Sequence, residues 1–421
     1  MSLKALTFLT AGESHGPQLT ILIQNMPAGL PLQPDDINEQ LTRRQGGHGR
    51  GGRMKIEKDR VQIVGGVRHG LTMGGPIAMV VPNLDWANWT ERMSVEPPSA
   101  GDLDAGGADH HTMGAPSRAA AHVTKLRPGH ADLAGAIKYG HDDVRNVLER
   151  ASSRETASRV AAGAVARRFL AELGVEIRSH TVRIGRVECS VPDAVRADPR
   201  GSANPEIAVF WERVAESAVR CADDAASARM IEEIDAARTA GDTLGGVFEV
   251  VAYGLPIGLG SFTQWDEKLD GRIGGALMSI PSIKGVEIGD GFAEAARRGS
   301  TVHDVIAYDE SRGWTRPTNN AGGTEGGVSN GAPVVVRCAT KPISTLIKPL
   351  DSVDLVSKEL SPAHVERSDV CVVPAAGVVG EAMLALVLAD AVRQKFGGDS
   401  MAEIRENVRS FVTTYAVASG G

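Results

Sequence analysis

Residues 43–54 read RRQGGHGRGGRM, which is four arginines, five glycines and a histidine in twelve positions. Two kinds of chemistry use such a composition. Arg/Gly-rich tails of RNA-binding proteins attract phosphates and stack on bases, whereas an ordered glycine-rich loop lets a few guanidinium groups close around one small polyanion. On this segment alone both interpretations remain open.

The overall composition argues against nucleic acid as the main partner. The chain has 421 residues, 42% of them hydrophobic, and a formal net charge of -7. A domain that binds a phosphate backbone usually presents a basic face and a high isoelectric point. The opening residues lack the apolar region of a signal peptide, and no run of 18 apolar residues occurs. We therefore expect a cytoplasmic globular protein with no nucleic-acid or membrane partner.

Further segments combine glycine with serine, histidine, arginine or aspartate. They are AGESHG (11–16), KLRPGHADLAG (125–135), RASSRET (150–156), NNAGGTEGGVSNG (319–331), TKPIST (340–345) and ERSDVCVVPAAG (366–377). Backbone N–H groups at glycine turns and helix N-termini, together with guanidinium groups, bind phosphates and carboxylates. The chain has no P-loop motif and no G-x-G-x-x-G motif after a strand. The pattern predicts an anion-binding site on another kind of fold.

The elements that must position these segments can be predicted from hydrophobic periodicity. Alternating or β-rich stretches predict strands within 4–9, 19–23, 55–67, 75–83 and 245–256, which places His15 in a turn between two strands. Apolar residues at three- and four-residue spacing predict helices over 142–173, 203–238, 270–280 and 380–417. Residues 91–121 have no such period and predict a long surface loop. We expect one α+β domain over 1–421 with that loop inserted.

Eight segments, in chain order from residue 6 to beyond residue 380, resemble the chorismate synthase family. They are GESHG, RRQGGHGRGGRM, RPGHADLAG, RASSRET, SIPSIKGVEIGDGF, AGGTEGGVSNG, KPIST and RSDVCVVPA. The resemblance implies a layered sandwich with helices packed between antiparallel sheets, assembled as a homotetramer. It implies a carbon–oxygen lyase of the shikimate pathway, which serves aromatic amino acid biosynthesis.

The implied reaction is the 1,4-trans elimination of phosphate from 5-enolpyruvylshikimate 3-phosphate, which gives chorismate. It requires reduced FMN although no net redox change occurs. Because no separable NAD(P)H-reductase domain is evident in the sequence, we expect an external flavin reductase, with NAD(P)H involved only indirectly. Another flavin enzyme with a phosphorylated substrate is the nearer alternative, and that enzyme would show net redox.

Three residues match the family's catalytic positions. The resemblance implies that His15 lies by the leaving phosphate as a proton or hydrogen-bond donor, that His130 faces the flavin ring, and that Asp369 accepts a proton beside the flavin N5 atom. Histidine suits both places because its ordinary pKa of about 6.5 lets it hold or release a proton near neutrality. The plain alternatives are histidines satisfied in a turn or core, and an aspartate that caps a turn or pairs with Arg367.

The remaining family positions concern binding. The substrate-binding matches are Ser14, Arg44, Arg50, Arg53, Arg127 and Arg154, which suit a substrate carrying about four negative charges. For Arg43 we expect a solvated surface role. The FMN-binding matches are Arg150, Ala151, Ser152, Pro281, Ser282, Gly326, Lys341, Pro342, Ile343, Ser344, Thr345 and Arg367. At Pro281 and Ser282 the backbone matters more than the side chain, and without the family KPIST reads equally well as an ordinary turn.

Two features depart from the family pattern. His48 stands where an aromatic residue is common in the family, and the loop that holds His110 and His111 looks longer than usual. Together with His122 these histidines raise the question of a metal site. No carboxylate or cysteine completes a convincing ligand spacing, so we predict no bound metal.

Overall fold

The computed structural model describes residues 5–51, 58–97, 122–309, 313–366 and 368–415. The predictions made for Arg53, Arg367, His110 and His111 lie outside the described residues, as does most of the 91–121 loop.

The strands form two main antiparallel sheets and several hairpins. In chain order they are β1 (Thr7–Ala11), β2 (Gln18–Gln24), β3 (Gln62–Gly65), β4 (Val67–Arg68), β5 (Leu71–Thr72), β6 (Ile77–Pro82), β7 (Glu176–Ile184), β8 (Val187–Glu188), β9 (Gly246–Tyr253), β10 (Ile283–Ile288), β11 (Ala307–Asp309), β12 (Gly313–Thr315), β13 (Thr324–Glu325), β14 (Val328–Ser329), β15 (Val334–Thr340), β16 (Asp351–Val353) and β17 (Leu360–Pro362). One sheet has four strands in the order β1-β2-β6-β3, and the other has five in the order β10-β15-β9-β7-β8.

The helices lie between and beside these sheets. They are α1 (Pro34–Gln45), α2 (Asp132–Tyr139), α3 (Arg145–Ala151), α4 (Thr156–Ala171), α5 (Asp193–Ala197), α6 (Pro205–Glu216), α7 (Asp224–Ala240), α8 (Leu269–Met278), α9 (Gly299–Val302), α10 (Val373–Phe396) and α11 (Met401–Tyr415).

Helices α4 and α10 form the layer between the two sheets. Helix α4 packs against β2, whose alternate side chains are buried, and α10 packs against β7 and β9. Glycines let these layers approach closely: a Cβ at Gly163 of α4 would come within 2.3 Å of the Cβ of Ala382 on α10, and one at Gly380 would come within 2.7 Å of Phe248. The predicted α+β sandwich with helices between antiparallel sheets is confirmed.

Helix α10 is the central core helix. It is long and apolar enough to cross a membrane, but 94% of its most apolar stretch is buried inside the protein. A helix that is apolar on all sides is typical of a position enclosed by other elements. The outer face of the five-stranded sheet is covered by α5 and α6, where Phe210 and Trp211 pack against Tyr253.

Several predicted elements are confirmed and others are wrong in their extent. The strand predicted within 245–256 is β9, the helix predicted over 270–280 is α8, and His15 lies in the turn between β1 and β2. The single helix predicted over 142–173 is instead α3, a 3-10 turn at Ser153–Glu155, and α4. The chain breaks there because Ser152 is extended (φ −62°, ψ 143°) and its side chain accepts a hydrogen bond from the backbone N–H of Arg154.

Two other predicted helices are interrupted. The stretch 203–238 contains α6 and α7, separated at 217–223, and the C-terminal stretch contains α10 and α11, separated at Gly397 and Gly398. Both of these glycines have positive φ angles, 57° and 84°, which glycine adopts without strain. The segment predicted as a glycine-rich loop from residue 43 in fact begins inside α1, which continues to Gln45.

Candidate active site

A cavity of about 310 Å³ opens where the β1–β2 turn, the α3–α4 junction and the start of α10 meet. Its volume lies in the usual range of small-molecule sites. Most of the residues predicted for the site line it: Ser14, His15, Arg44, Arg50, Arg127, His130, Ala151, Ser152, Arg154, Pro281, Ser282, Lys341, Ile343, Ser344, Thr345 and Asp369. Segments more than 350 residues apart in the chain are thus brought to one place.

Three described residues predicted for the site do not line the cavity. The guanidinium group of Arg150 donates instead to the backbone oxygens of Thr10 and Gly12 at 2.9 and 3.0 Å. Gly326 lies in the β13–β14 turn, where its carbonyl accepts from Lys268. Pro342 lies between two lining residues of the same segment.

His15 is held by a buried carboxylate, Glu149 of α3. The Nδ1 atom of His15 lies 2.9 Å from Oε1 of Glu149, and the backbone N–H of His15 donates to Oε2 at 2.8 Å. The imidazole also stacks on Trp89, with ring centroids 3.7 Å apart. Burial acts to raise the pKa of Glu149, but the hydrogen bonds and charge of His15, followed by Arg145, outweigh it and lower the pKa.

His130 is held in a similar way by Asp132, which is fully buried. Nδ1 of His130 lies 2.5 Å from Oδ1 of Asp132, while the Nε and Nη2 atoms of Arg127 donate to the two carboxylate oxygens at 2.8 and 3.0 Å. Burial acts to raise the pKa of Asp132, but bonds and charges from His130 and Arg127 lower it well below its usual range. One carboxylate therefore fixes a predicted catalytic histidine and a predicted substrate-binding arginine together.

Arg44 and Arg154 share a second buried carboxylate, Asp59. Arg154 donates from Nη1 to Oδ2 of Asp59 at 2.5 Å, and Nη1 of Arg44 lies 3.7 Å from the same oxygen. Arg44 also donates to Thr156 Oγ1 at 2.9 Å and to the carbonyl of Ser153 at 3.0 Å. The break between α3 and α4 therefore supplies polar backbone and hydroxyl groups that orient these guanidinium groups beside the cavity.

Asp369 pairs with Arg50. Nη1 of Arg50 lies 2.8 Å from Oδ2 of Asp369, and the backbone N–H of Gly51 donates to Oδ1 at 2.5 Å. Arg367, the partner considered from the sequence, lies outside the described residues. The approach of the two segments requires glycine: a Cβ at Gly51 would come within 2.6 Å of the carbonyl oxygen of Ser368.

The lining of the cavity includes apolar as well as cationic side chains. The apolar ones are Leu148, Ile280, Ile343, Val372, Ala375, Ala376 and Val379. Lys341 lines the cavity with Ser344 and Thr345, and burial, together with the charge of Lys284, lowers the pKa of Lys341. Ser282 has a left-handed backbone (φ 72°), and its carbonyl accepts from the N–H of Lys341 at 2.9 Å. Strained residues of this kind cluster at ligand sites.

Sequence patterns did not reveal the carboxylates that hold the site. Glu149, Asp132 and Asp59 each orient a predicted residue, and Glu366 lines the cavity 3.6 Å from Arg127. Burial acts to raise the pKa of Glu366, but His364 and Arg127 lower it to about 2. Asp132 lies inside the RPGHADLAG motif and Glu149 directly precedes the RASSRET motif, so their nearness to the motifs could have indicated a role in the site. Asp59 belongs to no motif.

Comparison with known proteins adds an independent finding. A family model described as Chorismate synthase matches residues 6–392. The chain is 55% identical over 411 residues to "Chorismate synthase" of Desulforudis audaxviator, covering 97% of each chain. It is 53% identical over 413 residues to "Chorismate synthase" of Symbiobacterium thermophilum, covering 97% of this chain and 99% of that protein. The solved structure "Crystal Structure of Chorismate Synthase" superposes with a TM-score of 0.75 at 41% identity over 98% of both chains.

Proposed function

The chain belongs to the chorismate synthase family, and from that premise we propose how its own residues carry out the reaction. It is a flavin-dependent carbon–oxygen lyase of the shikimate pathway that converts 5-enolpyruvylshikimate 3-phosphate to chorismate and phosphate. The proposed residue roles rest on one observation. The two predicted histidines, Asp369 and the described substrate-binding arginines all line the same cavity.

The arginines bind and orient the substrate. Its phosphate and two carboxylates need several cationic donors, and Arg44, Arg50, Arg127 and Arg154 line the cavity. Each is already oriented by a carboxylate, and a guanidinium group has five N–H donors, so it can keep that partner and still bind an anion. Preorganised donors of this kind stabilise charge as it develops on the leaving phosphate.

The two histidines and Asp369 manage protons. His15 donates a proton or hydrogen bond to the leaving phosphate, and the stacked Trp89 shields one face of its ring from water. His130 faces the cofactor, and Asp132 fixes the orientation of its ring. Asp369 accepts a proton at its carboxylate before the substrate loses its hydrogen, while Arg50 keeps that carboxylate in place.

The residues of the cavity fit a reduced FMN cofactor. Small apolar side chains at the start of α10 suit a flat ring, and Lys341 with the hydroxyl groups of Ser344 and Thr345 suits its phosphate. When bound, reduced FMN supplies an electron-rich ring that favours loss of phosphate and of the substrate hydrogen. We keep Arg150, Gly326 and Pro342 as candidate FMN contacts, although none of them lines the cavity of this chain.

Some further expectations rest on family membership. We propose one domain over 1–421, a cytoplasmic homotetramer and reduction of the flavin by an external reductase. On the described surface Phe262, Trp265 and Phe292 are each more than 70% exposed, and aromatic side chains of this kind are enriched where subunits meet.

An anaerobic assay tests the activity and its cofactor. With chemically reduced FMN and 5-enolpyruvylshikimate 3-phosphate, we expect chorismate and phosphate in equal amounts with no net oxidation of the flavin. With oxidised FMN and no reductant we expect no turnover. Stoichiometric flavin oxidation would instead favour a redox enzyme acting on a phosphorylated substrate.

Asp369→Asn tests the proton-accepting role. The amide keeps the shape of the carboxylate and still accepts from the N–H of Gly51, but it cannot take up a proton. We expect kcat to fall by about 10²-fold, the lower range for a positioned acid or base, with FMN affinity retained. The measurement is turnover beside an equilibrium flavin titration. Loss of flavin binding with normal turnover at saturating flavin would make Asp369 a structural residue.

A further inference from the structure

Both oxygens of Glu149 contact His15. One oxygen accepts from the backbone N–H of His15 at 2.8 Å and the other lies 2.9 Å from its Nδ1 atom. Glu149 is only 3% exposed and does not itself line the cavity, whereas His15 does. The carboxylate therefore lies behind the imidazole as seen from the cavity.

This contact determines which ring nitrogen carries hydrogen. An ionised carboxylate can only accept hydrogen bonds, so Nδ1 of His15 must be the donor. The hydrogen that His15 offers to a ligand then has to be on Nε2, the other nitrogen of the ring. A histidine that donates from Nδ1 and Nε2 together is doubly protonated and positively charged.

We propose that Glu149 is a positioning residue that keeps hydrogen on Nδ1 of His15 and fixes the orientation of the ring, which leaves Nε2 as the nitrogen that meets the leaving phosphate. The inference rests on the proposed role of His15 as the proton donor. When the proton passes from Nε2 to a phosphate oxygen as the carbon–oxygen bond breaks, neutral His15 keeps the Nδ1–H bond to Glu149. The ring does not need to turn between the two protonation states.

The surrounding charges explain why a carboxylate is needed there. Arg145 donates to Oε1 of Glu149 at 2.9 Å from α3, and Arg92 lies over Trp89 from the segment after the 3-10 helix Trp86–Asn88. Glu13 belongs to the same turn as His15. The other charged or titratable groups that line the cavity are Arg44, Arg50, Arg127, Arg154, His130, Lys341, Glu366 and Asp369. The cations among them oppose a further positive charge on His15, and Glu149 in direct contact favours it.

Glu149→Gln removes the charge and keeps the shape. A glutamine has one acceptor oxygen, so it cannot accept from both the backbone N–H and the Nδ1–H group of His15. We expect kcat to fall about tenfold with little change in KM, because the ring loses its fixed tautomer and orientation. FMN affinity should not change.

Two further variants separate charge from structure. Glu149→Asp keeps the charge and both acceptor oxygens but shortens the side chain, so hydrogen should stay on Nδ1 of His15 even where the rate falls. Asp235→Asn is the matched control, because Asp235 accepts from Nε2 of His48 at 2.8 Å outside the cavity. That variant removes a carboxylate from another histidine and should leave kcat unchanged.

NMR spectra of histidine-labelled protein provide a readout that does not depend on activity. The His15 signals, assigned through a His15→Asn variant, should show hydrogen on Nδ1 in the wild type and a loss of that preference in Glu149→Gln. An unchanged Nδ1–H tautomer together with an unchanged kcat in Glu149→Gln would overturn the inference and leave Glu149 a structural residue. Normal activity in His15→Ala would instead overturn the proposed role of His15, which the spectra do not test.

Discussion

His15→Ala and His130→Ala are each expected to lower kcat by about 10²- to 10⁴-fold, the range for losing a positioned acid or base. The reason is geometric as well as chemical. Each imidazole reaches the cavity with its Nδ1 atom fixed by a buried carboxylate, Glu149 or Asp132. Alanine removes the group that moves or holds the proton and leaves that carboxylate with fewer partners.

Turnover under anaerobic conditions with reduced FMN is the measurement, and circular dichroism confirms that the variants fold. His141→Ala is the matched control, since His141 is half-buried after α2 and does not line the cavity. It should retain near-wild-type kcat. If either His15→Ala or His130→Ala kept near-normal turnover, that histidine would have no part in the mechanism. A loss seen only in KM would instead place it in substrate binding.

Sequence patterns predicted the parts of this site that are local and missed those that depend on distant partners. The turn that carries His15 and the helix α8 follow from alternation and periodicity within a few residues, so they could be predicted. The break between α3 and α4 could not. Apolar residues keep helical spacing through it, and the break is stabilised where Arg154 meets Asp59, a residue from a distant part of the chain.

Two of the carboxylates that hold the site, Glu149 and Asp59, pair with residues that are far away in the sequence. Glu149 contacts a residue 134 positions away, and Asp59 lies 95 positions from Arg154. Side-chain pairs at such separations leave no periodic signal in one sequence. The motifs identify residues that meet a ligand. Of the residues that orient them, Asp132 lies two positions from His130 within one motif, whereas Glu149 and Asp59 meet their partners only through the fold.

Arg43 is the clearest wrong prediction. It was expected to be a solvated surface residue, but its guanidinium group makes two hydrogen bonds to Glu381 on α10, at 2.7 and 2.8 Å. Its neighbour Arg44 faces the cavity instead. Adjacent residues on a helix point about 100° apart, so one turn of α1 delivers one arginine to the core and the next to the site.

Glu381 gathers three arginines from separate elements. Arg43 approaches from α1, Arg167 of α4 donates at 2.6 Å, and Arg220, which precedes α7, donates at 3.2 Å. Ser179 of β7 donates a further hydrogen bond at 2.6 Å. Burial acts to raise the pKa of Glu381, but these arginines lower it well below its usual range, so the group is ionised at any ordinary assay pH.

Glu381→Gln is therefore expected to reduce the free energy of unfolding by about 3 to 5 kcal/mol, the cost of removing one partner from a buried ion pair. Glutamine fills the same space, so little of the loss can come from a cavity. It leaves three guanidinium groups close together without their anion. The measurement is urea unfolding, where the midpoint should fall with little change in slope.

The ion pair of Arg183 and Glu188 offers the matched control. Nη2 of Arg183 lies 2.7 Å from Oε2 of Glu188, as close as in the buried cluster, but the Glu188 side chain is 55% exposed. Glu188→Gln should cost at most about 1 kcal/mol.

Adding Arg43→Gln to Glu381→Gln removes one uncompensated cation and should recover part of the loss, a coupling that a double-mutant cycle measures. A Glu381→Gln protein as stable as the wild type would mean that the cluster contributes no net stability. Because Arg43 and Arg44 share one helical turn, destabilisation at Glu381 should also loosen Arg44 and weaken substrate binding before the whole domain unfolds.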